Sequence, residues 1–370
     1  MRLHALLPAK ENFTANHAGA VAMVVQDFLA HSAYRADAKI FGKKLVDMPL
    51  DGAIYQPIES WHRFVYGRNK GLAAGYIRMV NKLPKDKRPQ LIEVHGRCAV
   101  ASIIARALPD IPVMLVLHND PREMDGARSV AERQKLARDV AAISAVSHYL
   151  LDCFQDGLDK QQLSDCGFFL TPFGMDRLYQ ELPQKQKQIL FVGRIVPEKG
   201  VLEAAEAIAH CLPEFPDWQF KLIGARRFES GKSTPYQNSV ESALASLGEQ
   251  ASFLGHLPLS EVRKHQAEAA IILVPSQFQE PAGRVILEAF AAGAALVASR
   301  KGGIPEYAGD DALILDRPDS EHILEVLQNL LSDKKALARW QKRAFGHISL
   351  SLDEAAVLMD KTRRSVVDSF

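Results

Sequence analysis

Two doubly wound, mainly parallel α/β sheets are the fold this sequence predicts, and three observations carry that expectation. Short apolar runs alternate with helical stretches along nearly the whole chain, the pattern of βαβ units. The alternation breaks once, at a polar Gln- and Lys-rich stretch over 176–188, and then restarts, as at a domain boundary. The chain has 370 residues, enough for two separate cores. The expected domains are therefore 1–176 and 177–352, with a last helix over 353–370.

In the first half, strands are expected at 2–7, 38–41, 91–94, 113–117, 141–145 and 168–170. Helices are expected at 17–30, with Gly19 in the first turn, from 97 through 107, at 129–138 and from 147 onward. The segment 42–60 is less regular. A turn at 172–176 closes this half. In the second half, strands are expected at 189–192, 220–223, 251–254, 271–274, 295–298 and 312–315. Helices follow at 200–211, 236–247, 259–268, 285–291, 321–331 and 334–345. Gly293 ends the fourth of these, since glycine takes the left-handed conformation a helix C-terminus requires. Ser351, Leu352, Asp353 and Glu354 resemble a capping box opening the terminal helix.

Composition excludes several classes. A hydrophobic content of 47% with 24% charged residues is that of an ordinary globular protein. The formal net charge of +1 gives no global reason to bind nucleic acid. Cys98, Cys153, Cys166 and Cys211 show no CxxC pairing and read as thiols in a reducing compartment. No apolar run approaches the roughly 18–20 residues that span a bilayer. MRLHALLPAK has too short an apolar core for a signal peptide. The expected location is the cytoplasm, with peripheral contact at the inner face of a membrane. Residues 61–88 would provide that contact: Arg63, Arg68, Lys70, Arg78, Lys82, Lys85, Lys87 and Arg88 interleave there with Trp61, Phe64, Tyr66 and Tyr76. The alternative is a solvated helix face.

Candidate chemistry gathers at expected strand ends, where open α/β sheets bind ligands. Lys199 sits near a helix start, where the macrodipole disfavours a cation unless an anion is bound there. Arg194 is on the same loop, and Arg284 repeats the arrangement at a second helix start. Two such helix starts suit a diphosphate. Glu280 lies in a Pro/Gly loop and Glu288 eight residues on. A carboxylate has two acceptor oxygens, which suits a sugar or ribose diol. On spacing alone, a solvated loop acid and an ordinary helix Glu are the preferred reading of that pair. His118 and His95 each follow a buried strand. No metal-ligand spacing emerges, and the absence of GxGxxG after the first strand argues against a dinucleotide-binding dehydrogenase.

FVGRIVPEKG, FLGHL, VPSQFQEPAGRVILEAFAAG and GGIPE, in this order and spacing, resemble the retaining family 4 glycosyltransferases of the GT-B fold. The resemblance is strong over 189–306 and loose over the first half. It implies two Rossmann-like domains facing a central cleft, the first for acceptor and the second for donor, with the terminal helix crossing back onto the first. Glu280 would hold the donor sugar's hydroxyls and Glu288 the ribose. Arg194 and Lys199 would neutralise the departing diphosphate. Ala282, Gly283 and Arg284 would offer backbone N–H groups. Gly19 would approach the diphosphate, His118 would contact the donor sugar, and the loop around His256 would meet the base. Two departures stand out: Ala282 replaces the common Phe, and Gly19-Ala20 replaces a glycine pair.

The expected function is transfer of a hexose-type sugar, with retention, from a UDP- or GDP-sugar to a hydroxyl acceptor such as an envelope glycolipid or lipopolysaccharide precursor. No cofactor or metal is expected. The rivals are an epimerase or phosphorylase on the same fold and a non-catalytic sugar-nucleotide-binding protein.

Overall fold

A computed structural model of the chain describes all residues except 16, 60–66, 160–165, 225–233 and 348–349. It divides into two compact units. Unit 1 comprises Met1–Gly174 and Leu350–Phe370, and unit 2 comprises Met175–Ser349.

Unit 1 is built on a sheet of seven strands: β1 (Leu3–Leu6), β2 (Ala38–Gly42), β3 (Tyr55–Pro57), β4 (Leu91–His95), β5 (Val113–Leu117), β6 (Ala142–Ala145) and β7 (Gly167–Leu170), in the order β3-β2-β1-β4-β5-β6-β7. Every pairing is parallel. Parallel strands are covered on both faces, so they read as continuous apolar runs; β5 is buried along its whole length. The helices among the described residues are α1 (Ala20–Ala30), α2 (Arg68–Asn81), α3 (Cys98–Ala107), α4 (Val130–Asp139) and α5 (His148–Gln155), with the chain's last helix also in this unit. Strand order reverses between β1 and β4, which makes their C-terminal ends the topological switch point.

Unit 2 repeats the plan with β8 (Gln186–Val192), β9 (Gln219–Ile223), β10 (Ala251–Gly255), β11 (Ala269–Val274), β12 (Ala295–Ser299) and β13 (Leu313–Leu315), in the order β10-β9-β8-β11-β12-β13, again parallel throughout. Its helices are α6 (Val201–Cys211), α7 (Pro235–Leu244), α8 (Leu259–Glu268), α9 (Arg284–Ala292), α10 (Ile304–Ala308), α11 (Ser320–Ser332) and α12 (Lys334–Gly346). Val201, Ala204, Ala205 and Ile208 put one face of α6 into the core with Ile189, Phe191, Phe220 and Leu222, at the spacing of an amphipathic helix. The switch point lies between β8 and β11, the two strands that carry the candidate loops.

Several elements differ from the sequence reading. β3 lies in the segment read as irregular, because its three residues form a short edge strand without apolar alternation. β8 starts at Gln186, inside the stretch read as linker; Gln188 is buried and its amide donates to the His265 carbonyl at 3.3 Å. Helix α1 starts after Gly19, which is its N-cap rather than part of its first turn. The segment 245–250 is a 3₁₀ stretch after α7, not its continuation, because Gly248 has φ 52° and ψ −122°. A further short helix, α10, follows Gly303.

The terminal helix, α13 (Leu352–Ser369), belongs to unit 1 and opens with a complete Ser351–Glu354 capping box. It packs on α1. Arg363 is fully buried and grips Glu93 with both arms of its guanidinium, at 2.6 and 3.1 Å. A bidentate arrangement of this kind is the strongest geometry available to the pair.

Of the basic segment, residues 61–66 lie outside the described part, including Trp61, Arg63, Phe64 and Tyr66. In α2, Leu72, Tyr76 and Val80 face the core while Arg68, Lys70 and Arg78 are exposed. Leu72, Tyr76 and Val80 are thus spent on the interior, while Ile77 and Met79 are half-buried; Tyr76 hydrogen-bonds His4 at 2.8 Å. Among the described residues no helix is long and apolar enough to cross a membrane.

Candidate active site

In unit 2 the loops after β8 and β11 are stitched together. The β8 loop makes a short 3₁₀ turn, Pro197–Lys199, and α6 begins at Gly200 with φ 68°. A Cβ on Gly200 would stand 1.9 Å from the Pro275 carbonyl oxygen. That close approach and the positive φ both require glycine. Gln277 N–H donates to the Glu198 carbonyl at 2.9 Å, which ties the loops again.

This stitching brings Lys199 to Glu280, 81 positions along the chain: the ammonium Nζ donates to Glu280 Oε1. Ser276 Oγ donates to the same oxygen at 2.7 Å. Glu280 is only 5% exposed, so the paired cation and hydroxyl offset the cost of burying its charge. Its backbone is held by the glycines after β12. Gly303 N–H donates to the Glu280 carbonyl at 2.7 Å, and a Cβ on Gly302 would fall 2.1 Å from that same oxygen. The GGIPE motif therefore works as a clamp on the Glu280 loop.

Helices α6 and α9 both start beside this pair with no side-chain cap. Their first N–H groups and dipoles favour an anion. Gly283 is the N-cap of α9, with φ 89°. Ala282, just before it, is buried. Arg284 and Glu288 form an ion pair across one helical turn at 3.2 Å, and Gln266 of α8 donates to the other Glu288 oxygen at 2.9 Å. Arg194 is exposed on the β8 loop. His256 is exposed just past β10. The structure thus brings Lys199 and Glu280 together, joins Arg284 to Glu288, and leaves Arg194 and His256 at the surface of the same unit.

In unit 1, His118 follows β5 and His95 ends β4. The rings lie together, with His95 Nδ1 3.0 Å from His118 Nε2. Burial, then the neighbouring His95 and Arg97, lower the His118 pKa well below the ordinary histidine value, so this imidazole is neutral at pH 7. At the start of α1 the Ala22 N–H donates to Glu11 Oε1 at 3.3 Å. Burial pushes the Glu11 carboxyl up, while the Ala22 amide bond is the largest opposing effect. Gly19 lies against that carboxylate: a Cβ there would meet Glu11 Oε1 at 2.4 Å. An acid of the chain itself therefore fills the α1 N-terminus, where Gly19 was expected to approach a diphosphate.

Sequence reasoning missed Ser276, Gln266, Glu93, Arg363 and Glu11. Ser276 is four residues before Glu280, a spacing that two loop residues can use to bond each other. Glu11 reaches the start of α1 from the loop eleven residues upstream of Ala22, and the other three reach across helix or strand packings that carry no local signal.

Residues 176–347 match the protein family described as Glycosyl transferases group 1. The second unit is a glycosyltransferase group 1 domain. A Salmonella typhimurium relative, lipopolysaccharide 1,2-N-acetylglucosaminetransferase, is 25% identical over 66% of this chain and 64% of its own length. Among solved structures, sucrose-phosphate synthase from Thermosynechococcus elongatus superposes with a TM-score of 0.76 at 17% identity, covering 100% of this chain and 99% of its own. Anabaena HepE, in complex with UDP and glucose, gives 0.73 at 17% identity with 100% of both chains covered. At such identities the likeness establishes the fold: two Rossmann-like parallel-sheet units of the GT-B type. The glycosyltransferase domain carries Lys199, Glu280, Arg284 and Glu288 at the C-terminal edge of its sheet.

Proposed function

We propose that the protein transfers a hexose-type sugar, with retention at the anomeric carbon, from a nucleoside diphosphate sugar to a hydroxyl acceptor. The Lys199–Glu280 pair carries this reading. It is a cation and a carboxylate set at the switch point of the unit 2 sheet, beside two uncapped helix N-termini. That is a place for a diphosphate next to a polyol. The UDP and glucose bound to Anabaena HepE support a nucleotide-sugar donor, and the sugar-transferase name of the Salmonella relative supports transfer.

In the proposed cycle the diphosphate takes Lys199 and Arg194 as its cations, together with the N–H groups of Ala282, Gly283 and Arg284. Gly19 supplies backbone in unit 1 once Glu11 yields its place. Glu280, released from Lys199, accepts hydrogen bonds from sugar hydroxyls, and Glu288 accepts from the ribose. His256 lies toward the base. His118 contacts a sugar hydroxyl. The bond from the anomeric carbon to the phosphate oxygen breaks, the acceptor oxygen bonds to the same face, and the acceptor proton passes to the departing phosphate. Stabilising that phosphate charge is the main electrostatic task, and the cations for it come from side chains rather than a metal. We further propose a lipid-linked acceptor of the envelope class and a cytoplasmic protein touching the inner membrane face through its basic segment. The exposed Arg68, Lys70 and Arg78 and the Salmonella relative's name support that reading.

Thermal-shift screening against UDP, GDP, ADP and their hexose conjugates identifies the donor, since a ligand of the native state raises apparent stability. Turnover of that donor with and without EDTA, and the anomeric configuration of the product by NMR, test the rest. Replacing Lys199 with Ala should lower turnover by roughly 100-fold or more, the scale of losing one charge-stabilising donor. Near-unchanged transfer by that variant removes the diphosphate assignment.

A further inference from the structure

A buried line of polar groups runs through unit 1 from the terminal helix to His118. Asp360 receives Ser32 Oγ at 2.7 Å and the Ala33 N–H at 2.8 Å, and it accepts Arg363 Nη1 at 2.7 Å. Arg363 holds both oxygens of Glu93. Glu93 Oε2 faces His95 Nε2 at 3.4 Å; that buried nitrogen makes no hydrogen bond among the described residues, and the carboxylate is the charge it faces. His95 Nδ1 meets His118 Nε2 at 3.0 Å. Glu93, His95 and Arg363 are all 1% exposed or less. Glu93 and His95 share a face of β4, two residues apart, and His118 follows the adjacent strand.

The polarity of this line follows from one fixed charge. Burial alone would push Glu93 up, but the Arg363 charge, the neighbouring His95 and the Arg363 hydrogen bonds hold it down at about 2. Glu93 is therefore an acceptor only. The ring nitrogen facing it, His95 Nε2, carries a proton. In a neutral His95 the other nitrogen, Nδ1, is then bare and accepts. His118 Nε2 must donate to it, and His118 is neutral, so its Nδ1 is left as a bare acceptor. That nitrogen has no hydrogen-bond partner among the described residues.

We propose that Glu93 and Arg363 are positioning residues that fix the tautomer of His118 through His95, so that His118 offers substrate an accepting Nδ1 and not a donating one. An acceptor recognises a hydrogen-bond donor, and the donors of a simple hexose are its hydroxyls. The terminal helix, 270 positions from Glu93 in sequence, thereby sets the hydrogen-bond polarity at the ligand edge of β5. This rests on the reading above that His118 touches a sugar hydroxyl.

Glu93→Gln inverts the line while keeping its shape. Its amide oxygen, in the place of Oε1, still accepts from Arg363 Nε, while its NH₂, in the place of Oε2, gives up the Arg363 Nη2 bond and donates to His95 Nε2, which reverses each bond up to His118. The test uses the full chain with ¹⁵N-labelled histidines, long-range ¹H–¹⁵N correlation spectra, and His118→Asn and His95→Asn for assignment. The expected spectrum of the unaltered protein has a bare, pyridine-like His118 Nδ1 and a protonated Nε2. In Glu93→Gln the two exchange, and kcat falls tenfold or more while nucleotide Kd, measured by calorimetry, stays put. A protonated His118 Nδ1 in the unaltered protein overturns the inference, and so does a Glu93→Gln spectrum with unchanged tautomers. A reversed tautomer with unchanged kcat overturns the substrate-facing role of His118, and with it the functional half of the inference. Should Glu93→Gln fail to fold, the spectrum of the unaltered protein decides alone. Absence of any transfer leaves the spectra to decide the tautomer independently.

Discussion

Arg363→Met removes one partner of a fully buried ion pair and leaves Glu93 charged in the core. Arg363 and Glu93 are each 0% exposed, and two hydrogen bonds join them. Breaking such a pair from one side costs about 3–5 kcal/mol, because the remaining charge has no water and no partner. The lowered Glu93 pKa gives a second figure. A fall from 4.5 to about 2 corresponds to roughly 3 kcal/mol, at about 1.4 kcal/mol per tenfold change in proton affinity. Unit 1, Met1–Gly174 with Leu350–Phe370, falls in the size range where 1 kcal/mol moves Tm by about 2–4 °C. The expected loss is then roughly 10 °C, read by calorimetry or by urea unfolding at fixed protein concentration. The sign of the pH dependence is also set. The folded pKa of Glu93 lies below the unfolded value, so the pair's stabilisation is fully present above about 4.5 and disappears as pH falls toward 2. The variant should accordingly lose less stability on acidification than the unaltered protein. Glu93→Leu combined with Arg363→Met should recover part of the loss, since an apolar pair leaves no orphaned charge. A cost under 1 kcal/mol for Arg363→Met, with acid sensitivity unchanged, would refute the reasoning that this pair secures the terminal helix.

Other expected outcomes are more local. Gly200→Ala forces a Cβ against the Pro275 carbonyl at a residue with φ 68°; it should cost about 1–2 kcal/mol from the left-handed backbone alone and weaken donor-nucleotide binding measured by calorimetry. Unchanged binding there would show that the loop stitching does not shape the site. Ser276→Ala removes a buried hydroxyl donor to Glu280 and should cost about 1 kcal/mol of stability, with a rise in donor KM. His4 is driven down to about 3, first by burial and then by Lys39 and Arg2. A histidine that binds its proton less readily when folded destabilises the fold as pH drops below 6.5 and on toward 3. His4→Asn should flatten the stability–pH curve in that window, and an unaltered slope would contradict the assignment.

The parts of the fold that were legible in the sequence were those in which local pattern and tertiary role coincide. β5 and β11 are buried on both faces, so VMLVL and AAIILV are apolar without interruption. The capping box at Ser351 and the stop at Gly293 are local devices and were readable as such. β3 and the start of β8 were not readable, because their hydrogen bonds come from a neighbouring strand and their side chains are polar or half-exposed. The same division runs through the candidate site. The E-x7-E spacing alone favours an ordinary pair of acids, and Glu288 does make an ordinary one-turn ion pair with Arg284. Glu280 does not. It is buried, it takes Lys199 from a loop 81 positions away, and its backbone is held by Gly302 and Gly303. No spacing rule contains that assembly, because it is made by the β8–β11 pairing and not by the segment itself. If Lys199 turns to a diphosphate as proposed, a carboxylate held in that way needs a replacement partner, and a sugar hydroxyl is a neutral donor that would take the cation's place. Under the proposed function, Lys199 and Glu280 would act as one element with two states, paired to each other as the structure shows and separately engaged once donor binds.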